Sequence, residues 1–260
     1  MVSLAMTRIT IIGLGDAGSR YARGLRAAGA EVRGFDRIPG TASDIPRVPD
    51  LADAVAGADL VLSLVWARTA VEVASKAIPH LETGAVYADL NTAAPAVKLE
   101  VAGIGTDHGV AVADVAVLAP VSRAAERTPL LASGEGAARF AALVAPLGAP
   151  VDVLQGPAGD AAQLKLLRSV FMKGMAAVVI EGLDAARAVG AEAWLHDQMA
   201  QEFGIDGAAK VDHLVTGTYA HIERRELEVR DALAVLEAAG RHADMTRAAA
   251  QWYRRILSER

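Results

Sequence analysis

The sequence predicts an α/β protein in two parts. A Rossmann-type, doubly wound and mostly parallel sheet occupies residues 1–156, and an all-helical domain follows over residues 157–260. Three observations carry this. Short β-branched runs alternate with amphipathic segments through the first half, the pattern of βαβ units. A glycine-rich turn follows the first of those runs and opens the first helix. After the turn cluster Gln155-Gly156-Pro157-Ala158-Gly159 the strand pattern stops.

Each element has its own ground. Thr7 to Gly13, built on Ile9, Ile11 and Ile12, reads as a buried strand, and Asp16 to Ala28 as a helix stopped by Gly29. Glu31 to Asp36 is the second strand and Ala58 to Val65 the third, followed by a helix over Arg68 to His80. Gly84 to Asp89 is a strand, and Pro95 starts the next helix where its missing N–H has no cost. Val110 to Leu118 and Thr128 to Ser133 are later strands; a helix over Glu135 to Leu147 and a strand Pro150 to Leu154 close this half. Strands this apolar belong to a sheet covered on both faces. Beyond the boundary, Asp160 to Val189 reads as one long helix. Its apolar residues, Leu164, Leu167, Val170, Phe171, Met175, Val178, Val179 and Leu183, cover more than one face, which predicts a buried helix. Three or four further helices follow, with breaks near Gly190, Gly204 to Gly207, Thr216 to Thr218 and Gly240. Trp194, Trp252 and Tyr253 are expected to pack in this half or at a dimer contact.

Composition narrows the function classes. The 260 residues are 53% hydrophobic and 22% charged, enough for a sizeable core. There is no cysteine, hence no disulfide framework, thiolate nucleophile or cysteine-ligated metal. A formal charge of −5 argues against nucleic acid as a partner. Mean hydropathy is +0.28, yet no apolar run reaches the length of a bilayer span; the longest, Gly109 to Val121, is interrupted by Asp114. No membrane contact and a cytoplasmic location are the expectation. The six histidines are scattered without ligand spacing, so no metal site is expected.

Gly13-Leu14-Gly15-Asp16-Ala17-Gly18 fits G-x-G-x-x-G in the strand–turn–helix setting that dinucleotide binding requires. Gly13 permits the tight turn, Gly15 lets a pyrophosphate approach the backbone, and Gly18 lets helix and strand pack closely. Asp36 lies 21 residues after Gly15, where a carboxylate accepts from the adenosine ribose. It favours NAD over NADP, whereas the neighbouring Arg37 could hold a 2′-phosphate. NAD or NADP is therefore the expected cofactor, with NAD preferred.

Four segments together resemble the β-hydroxyacid dehydrogenase family, related to 6-phosphogluconate dehydrogenases. They are the glycine-rich turn, Asp89-Leu90-Asn91-Thr92-Ala93-Ala94-Pro95, Ala119-Pro120-Val121-Ser122, and Gly159-Asp160-Ala161-Ala162-Gln163-Leu164-Lys165. The chain looks like a divergent branch with a short helical C-terminal domain. The resemblance implies that Val65, Asn91 and Thr92 flank the nicotinamide, that Ser122 and Arg123 hold a substrate anion, and that Lys165 is the catalytic lysine. It implies further that Ser169 orients the substrate hydroxyl and that the protein forms dimers or tetramers; a homodimer through the helical domain is expected. Departures are specific. Arg123 and Ala124 replace two loop glycines, Ser169 replaces an asparagine, and no aspartate directly precedes Ala119. The acidic member of a later lysine–acid pair corresponds loosely to Glu228.

A lysine suits this chemistry. Moving hydride from a secondary alcohol requires a group within hydrogen-bond reach of the hydroxyl to take its proton. Free lysine is too basic, but partial burial beside a cationic nicotinamide would lower its pKa. Lys173 lies about 12 Å further along the same helix. It is read as a contact to a longer substrate or to Glu181. His221, Arg224 and Arg225 read as a solvated helix face. The resulting expectation is an NAD(P)-dependent oxidoreductase acting on a small hydroxy acid or related anionic alcohol. The alternatives are an imine reductase on the same architecture, against which Lys165 counts, and a non-catalytic dinucleotide sensor.

Overall fold

The structure, a computed structural model, describes residues 6–40, 42 and 44–259. Strands β1 (Arg8–Ile12), β2 (Glu31–Phe35), β3 (Leu60–Ser63), β4 (Val86–Asp89), β5 (Ala111–Val117), β6 (Leu130–Ser133) and β7 (Val151–Val153) form one sheet in the order β2-β1-β3-β4-β5-β6-β7. Only β5 and β6 pair antiparallel; every other neighbour is parallel. Helices α1 (Asp16–Ala27), α2 (Leu51–Val55), α3 (Ala70–Ala77), α4 (Pro95–Asp107) and α5 (Ala137–Val144) connect the strands. Helix α2 has no counterpart in the sequence reading. It is five residues long, and Asp50 caps it by accepting from the Ala52 and Asp53 N–H groups.

Period-two alternation distributes each strand between two cores. Ile9, Ile11, Leu60, Leu62, Val86 and Ala88 join Tyr21, Leu25 and Phe140 on one face. Ile12, Val61 and Tyr87 join Val101, Val110 and Ala74 on the other. This is why the strands read as unbroken apolar runs.

Packing divides the chain into two compact units, with the division after Lys165. It falls inside the long helix α6 (Asp160–Ala188) rather than at the turn cluster near residue 156. The physical reason is that the first turn of α6 is bonded to the sheet: the Asp114 carboxylate accepts from the Gly159 and Ala162 N–H groups, and the Ser133 hydroxyl from that of Ala161.

The second unit contains the rest of α6 with α7 (Glu192–Glu202), α8 (Gly207–Ala220), α9 (Ile222–Ala238) and α10 (Asp244–Ser258). Helix α6 feeds two cores here, Ala177 and Ile180 packing with Val229 and Tyr253, and Val179 and Leu183 with Val211 and Leu214. It is not buried all round, because Leu167, Phe171 and Val178 are exposed within the described chain. Trp252 and Tyr253 are buried and meet edge-to-face at 5.1 Å, whereas Trp194 is exposed on the single chain. No helix among the described residues is long and apolar enough to cross a membrane.

The expected break at Thr216 to Thr218 does not occur, and the chain bends at His221 instead. Thr216 and Thr218 donate their hydroxyls to the carbonyls of Asp212 and Leu214 one turn earlier, so both are satisfied within the helix. Gly217 lies beside the Arg225 guanidinium, 2.8 Å from where a Cβ would stand. Arg225 in turn donates to Thr218 and so faces α8, while His221 and Arg224 are exposed as expected.

Gly105 sets how closely α4 approaches β5. A Cβ at that position would lie 2.4 Å from Val112 Cγ2 and 2.6 Å from the Val110 carbonyl oxygen. Gly105→Ala is expected to destabilise the first unit by about 1–3 kcal/mol, measured by denaturant unfolding.

Candidate active site

Strand β1 runs into the turn Gly13 to Gly18, where the three glycines have different tasks. Gly13 adopts φ +93°, and a Cβ on it would lie 2.4 Å from the Leu64 carbonyl oxygen. A Cβ on Gly18 would lie 1.8 Å from the carbonyl oxygen of Gly13. Both glycines are therefore demanded by the chain's own packing. A Cβ on Gly15 would meet nothing within 4 Å. Gly15 precedes α1, no side chain caps the helix, and Asp16 and Ala17 begin it. The first N–H groups of such a helix lack intrahelical partners and suit an anion. The space over Gly15 is thus what a pyrophosphate needs, and the fit to a dinucleotide is good on this chain's own geometry.

Asp36 is bound into the same turn. Its carboxylate accepts from the Leu14 N–H at 2.7 Å and the Ile38 N–H at 2.8 Å, tying the end of β2 to the loop. The Leu14 side chain is buried against Gly34, where a Cβ would lie 2.8 Å from Leu14 Cδ2. Arg47 holds the next segment through the carbonyls of Asp36 and Ile38, and Arg37 is exposed. Asp16 pairs with Arg20 at 2.8 Å on the surface.

The ends of β3 and β4 are joined by Asn91. Its Oδ1 accepts from the Val65 N–H at 2.6 Å, its Nδ2 donates to the Ser63 hydroxyl, and its own N–H donates to Asp89. Val65 and Asn91, both read as flanking the nicotinamide, are thus bonded directly to each other. The next residue, Thr92, accepts from Lys165 Nζ at 2.9 Å across 73 positions of sequence. Lys165 is placed there by the anchored first turn of α6.

The remaining expected residues stand elsewhere. Ser122 and Arg123 form a 3₁₀ turn packed on α1, on a different element from the Lys165–Thr92 pair. Ser169 is buried on α6. Lys173 pairs with Glu228 at 2.6 Å and not with Glu181. Burial holds the Lys173 ammonium below the ordinary lysine range, with the attraction of Glu228 opposing. Tyr253 donates to the Lys173 carbonyl.

Sequence reasoning missed Lys98 and underused Asp89 and Asp114. All three side chains are 1% exposed and form one cluster, with Lys98 Nζ 3.2 Å from Asp89 Oδ1 and 3.4 Å from Asp114 Oδ1. The signal was present: an aspartate in the middle of the most apolar run of the chain must find a partner.

Residues 8–150 match the model of the NAD-binding domain of 6-phosphogluconate dehydrogenase, and residues 186–256 match a domain of unknown function, DUF1932. A conserved hypothetical protein from Sinorhizobium meliloti 1021 is 33% identical over 95% of this chain and 87% of its own, with a TM-score of 0.76. The 3-hydroxyisobutyrate dehydrogenase of Mycobacterium tuberculosis, solved with L-serine, is 22% identical at a TM-score of 0.81, covering 97% of this chain and 94% of its own. The reductive aminase of Aspergillus terreus, solved with NADPH, is 18% identical at 0.67, covering 98% and 94%. The last two likenesses are of fold.

The division of labour among the glycines is testable. Gly15→Val is expected to keep its melting temperature within about 2 °C and to weaken NADH binding at least about tenfold by calorimetry. Gly18→Ala is expected to fail earlier, with a folding loss of about 1–3 kcal/mol.

Proposed function

We propose that this chain, which belongs to the family of the 6-phosphogluconate dehydrogenase NAD-binding domain, is an NAD(P)-dependent oxidoreductase. It interconverts a small hydroxy acid, or a related anionic alcohol, and its oxo form. The observation that carries this reading is the Lys165–Thr92 contact, which sets Nζ beside the loop that follows β4, at the same C-terminal end of the parallel strands as the glycine-rich turn. When bound, the nicotinamide supplies the hydride chemistry. The chain's own residues do the rest. Gly13 to Gly18 receive the pyrophosphate on backbone N–H groups. Asp36 stands where the adenosine ribose would lie, and its charge disfavours a 2′-phosphate, which supports NAD over NADP. Thr92 accepts an N–H of Lys165 and so helps to fix the position of Nζ. On oxidation the neutral amine of Lys165 accepts the hydroxyl proton at Nζ, and on reduction the ammonium returns it. Ser122, Arg123, Ser169 and Lys173 remain the proposed substrate contacts, with the Lys173 charge already matched by Glu228.

The fold likeness to a reductive aminase keeps imine reduction as a second reading. Lys165→Met separates the possibilities. With hydroxy acids and phosphorylated or sulfonated alcohols as substrates, its kcat is expected to fall at least about 100-fold, with NADH affinity unchanged within about twofold. An undiminished kcat removes the lysine from the mechanism. Turnover of cyclic imines with NADPH, and of no alcohol, selects imine reduction. Cofactor binding without any turnover selects the sensor.

We also propose that the helical unit pairs with a second copy of the chain. Phe171 and Val178 are 65% and 58% exposed on α6 and lie two helical turns apart on one stripe. Light scattering is expected to give twice 26.9 kDa for the native chain and the single mass for Phe171→Glu. A monomeric native chain would overturn this assignment.

A further inference from the structure

The N-terminal unit contains a buried ionic cluster that the proposed chemistry does not use. Lys98 on α4 faces Asp89 at the end of β4 and Asp114 in the middle of β5, and all three side chains are 1% exposed. Lys98 donates to the Asp89 carbonyl at 2.8 Å. Its 3.4 Å approach to Asp114 Oδ1 is Coulombic, since that oxygen has no hydrogen-bond partner; nor has Asp89 Oδ2. Two carboxylates and one ammonium leave a formal excess of negative charge at a buried site. A buried ionic group of this kind is a poor way to add stability, because a well-packed apolar set serves as well or better. Its presence calls for another explanation.

The bonds leading out of the cluster supply one. Asp114 Oδ2 accepts from the Gly159 and Ala162 N–H groups, each at 3.0 Å, and from the Ser133 hydroxyl. The Ser133 oxygen accepts from the Ala161 N–H. The excess negative charge therefore meets the positive end of α6, the helix whose second turn bears Lys165. On the other side, Asp89 Oδ1 accepts from the Asn91 N–H, and Asn91 holds Val65. Thr92, which receives Lys165, is the next residue. One ammonium at Lys98 thus joins the start of the lysine-bearing helix to the start of the threonine-bearing loop.

We infer that Lys98, Asp89 and Asp114 are positioning residues. Their buried cluster fixes the first turn of α6 against the loop after β4, and so holds Lys165 Nζ at Thr92 in the geometry that proton transfer needs. The inference rests on the reading of Lys165 as the proton-transfer group. A misplacement of an ångström at such a group is enough to cost about 100-fold in rate, whereas the glycine-rich turn lies outside the cluster and keeps its affinity for dinucleotide.

The test compares Asp114→Ala and Asp114→Asn with Lys98→Met and Lys165→Met in the full chain, by hydrogen-exchange mass spectrometry and steady-state kinetics. Asp114→Asn retains an acceptor for the helix N–H groups and is the variant expected to fold if the others do not. Exchange in the 157–167 peptide is expected to quicken at least about tenfold in the Asp114 and Lys98 variants, with no change over residues 13–18. Their kcat is expected to fall about 10- to 100-fold with KM and NADH affinity within about threefold. A merely structural role would lower folded fraction, kcat and cofactor binding together, and that outcome overturns the inference. So does unchanged exchange at 157–167, or quickened exchange with native kcat while Lys165→Met is inactive. A native kcat in Lys165→Met removes the lysine's role and with it the functional part of the inference, leaving the anchoring to be judged by exchange alone.

Discussion

The carbonyl oxygen of Gly13 occupies the place where a side chain on residue 18 would begin, and the N-terminal unit is arranged around that closeness. Because neither residue has a Cβ, α1 seats directly on β1, and its N-terminus opens at Gly15 rather than behind a side chain. The same turn touches the end of β3, whose Leu64 carbonyl lies against Gly13. The chain proceeds from β1 to β2 on one side and returns to β3 on the other. That reversal of strand order is where open α/β sheets leave a crevice beyond the strand ends. Backbone sterics at two glycines therefore decide where a dinucleotide can lie.

Around that crevice the polar side chains first serve the backbone. Asp36 bonds the glycine-rich turn, and Asn91 bonds β3 to β4. On the proposed reading both face the cofactor, and both are fixed by hydrogen bonds within the chain itself. A site fixed in this way loses little ordering entropy on binding. Lys165 follows the same rule, since its ammonium is already directed at Thr92. The helical unit uses charge differently. Lys173 and Glu228 neutralise each other at 2.6 Å under Tyr253 and beside Arg224, with burial working against the lysine's charge.

Much of this was legible. Apolar runs marked the interior strands β3, β4 and β5, because a strand covered on both faces has no polar side to alternate with, whereas β2 and β7 carry the exposed Glu31 and Asp152. The glycine-rich turn announced itself by type and context, and family resemblance singled out Lys165. Where reading failed, the reason was physical. The break near Thr216 was inferred from residues that are weak in helices, yet both threonines satisfy their hydroxyls one turn back. Glu181 is one of the two contacts that the sequence suggests for Lys173, whereas the observed partner Glu228 arrives on another helix. Asp114 was noted only as the residue that interrupts an apolar run.

By itself the sequence determined what local rules determine: strand and helix identity from hydrophobic period, the sharp turn from its glycines, and the absence of sulfur chemistry from composition. It also determined that a lysine opens the long helix. Tertiary structure alone decided which charges meet. Asp114 finds Gly159 and Ala162 across more than forty residues, Thr92 finds Lys165 across 73, and Lys98 finds two carboxylates from separate strands. Such pairings leave no periodic trace in the chain, because a buried charge is matched by whatever the packed sheet and helices bring within a few ångströms of it.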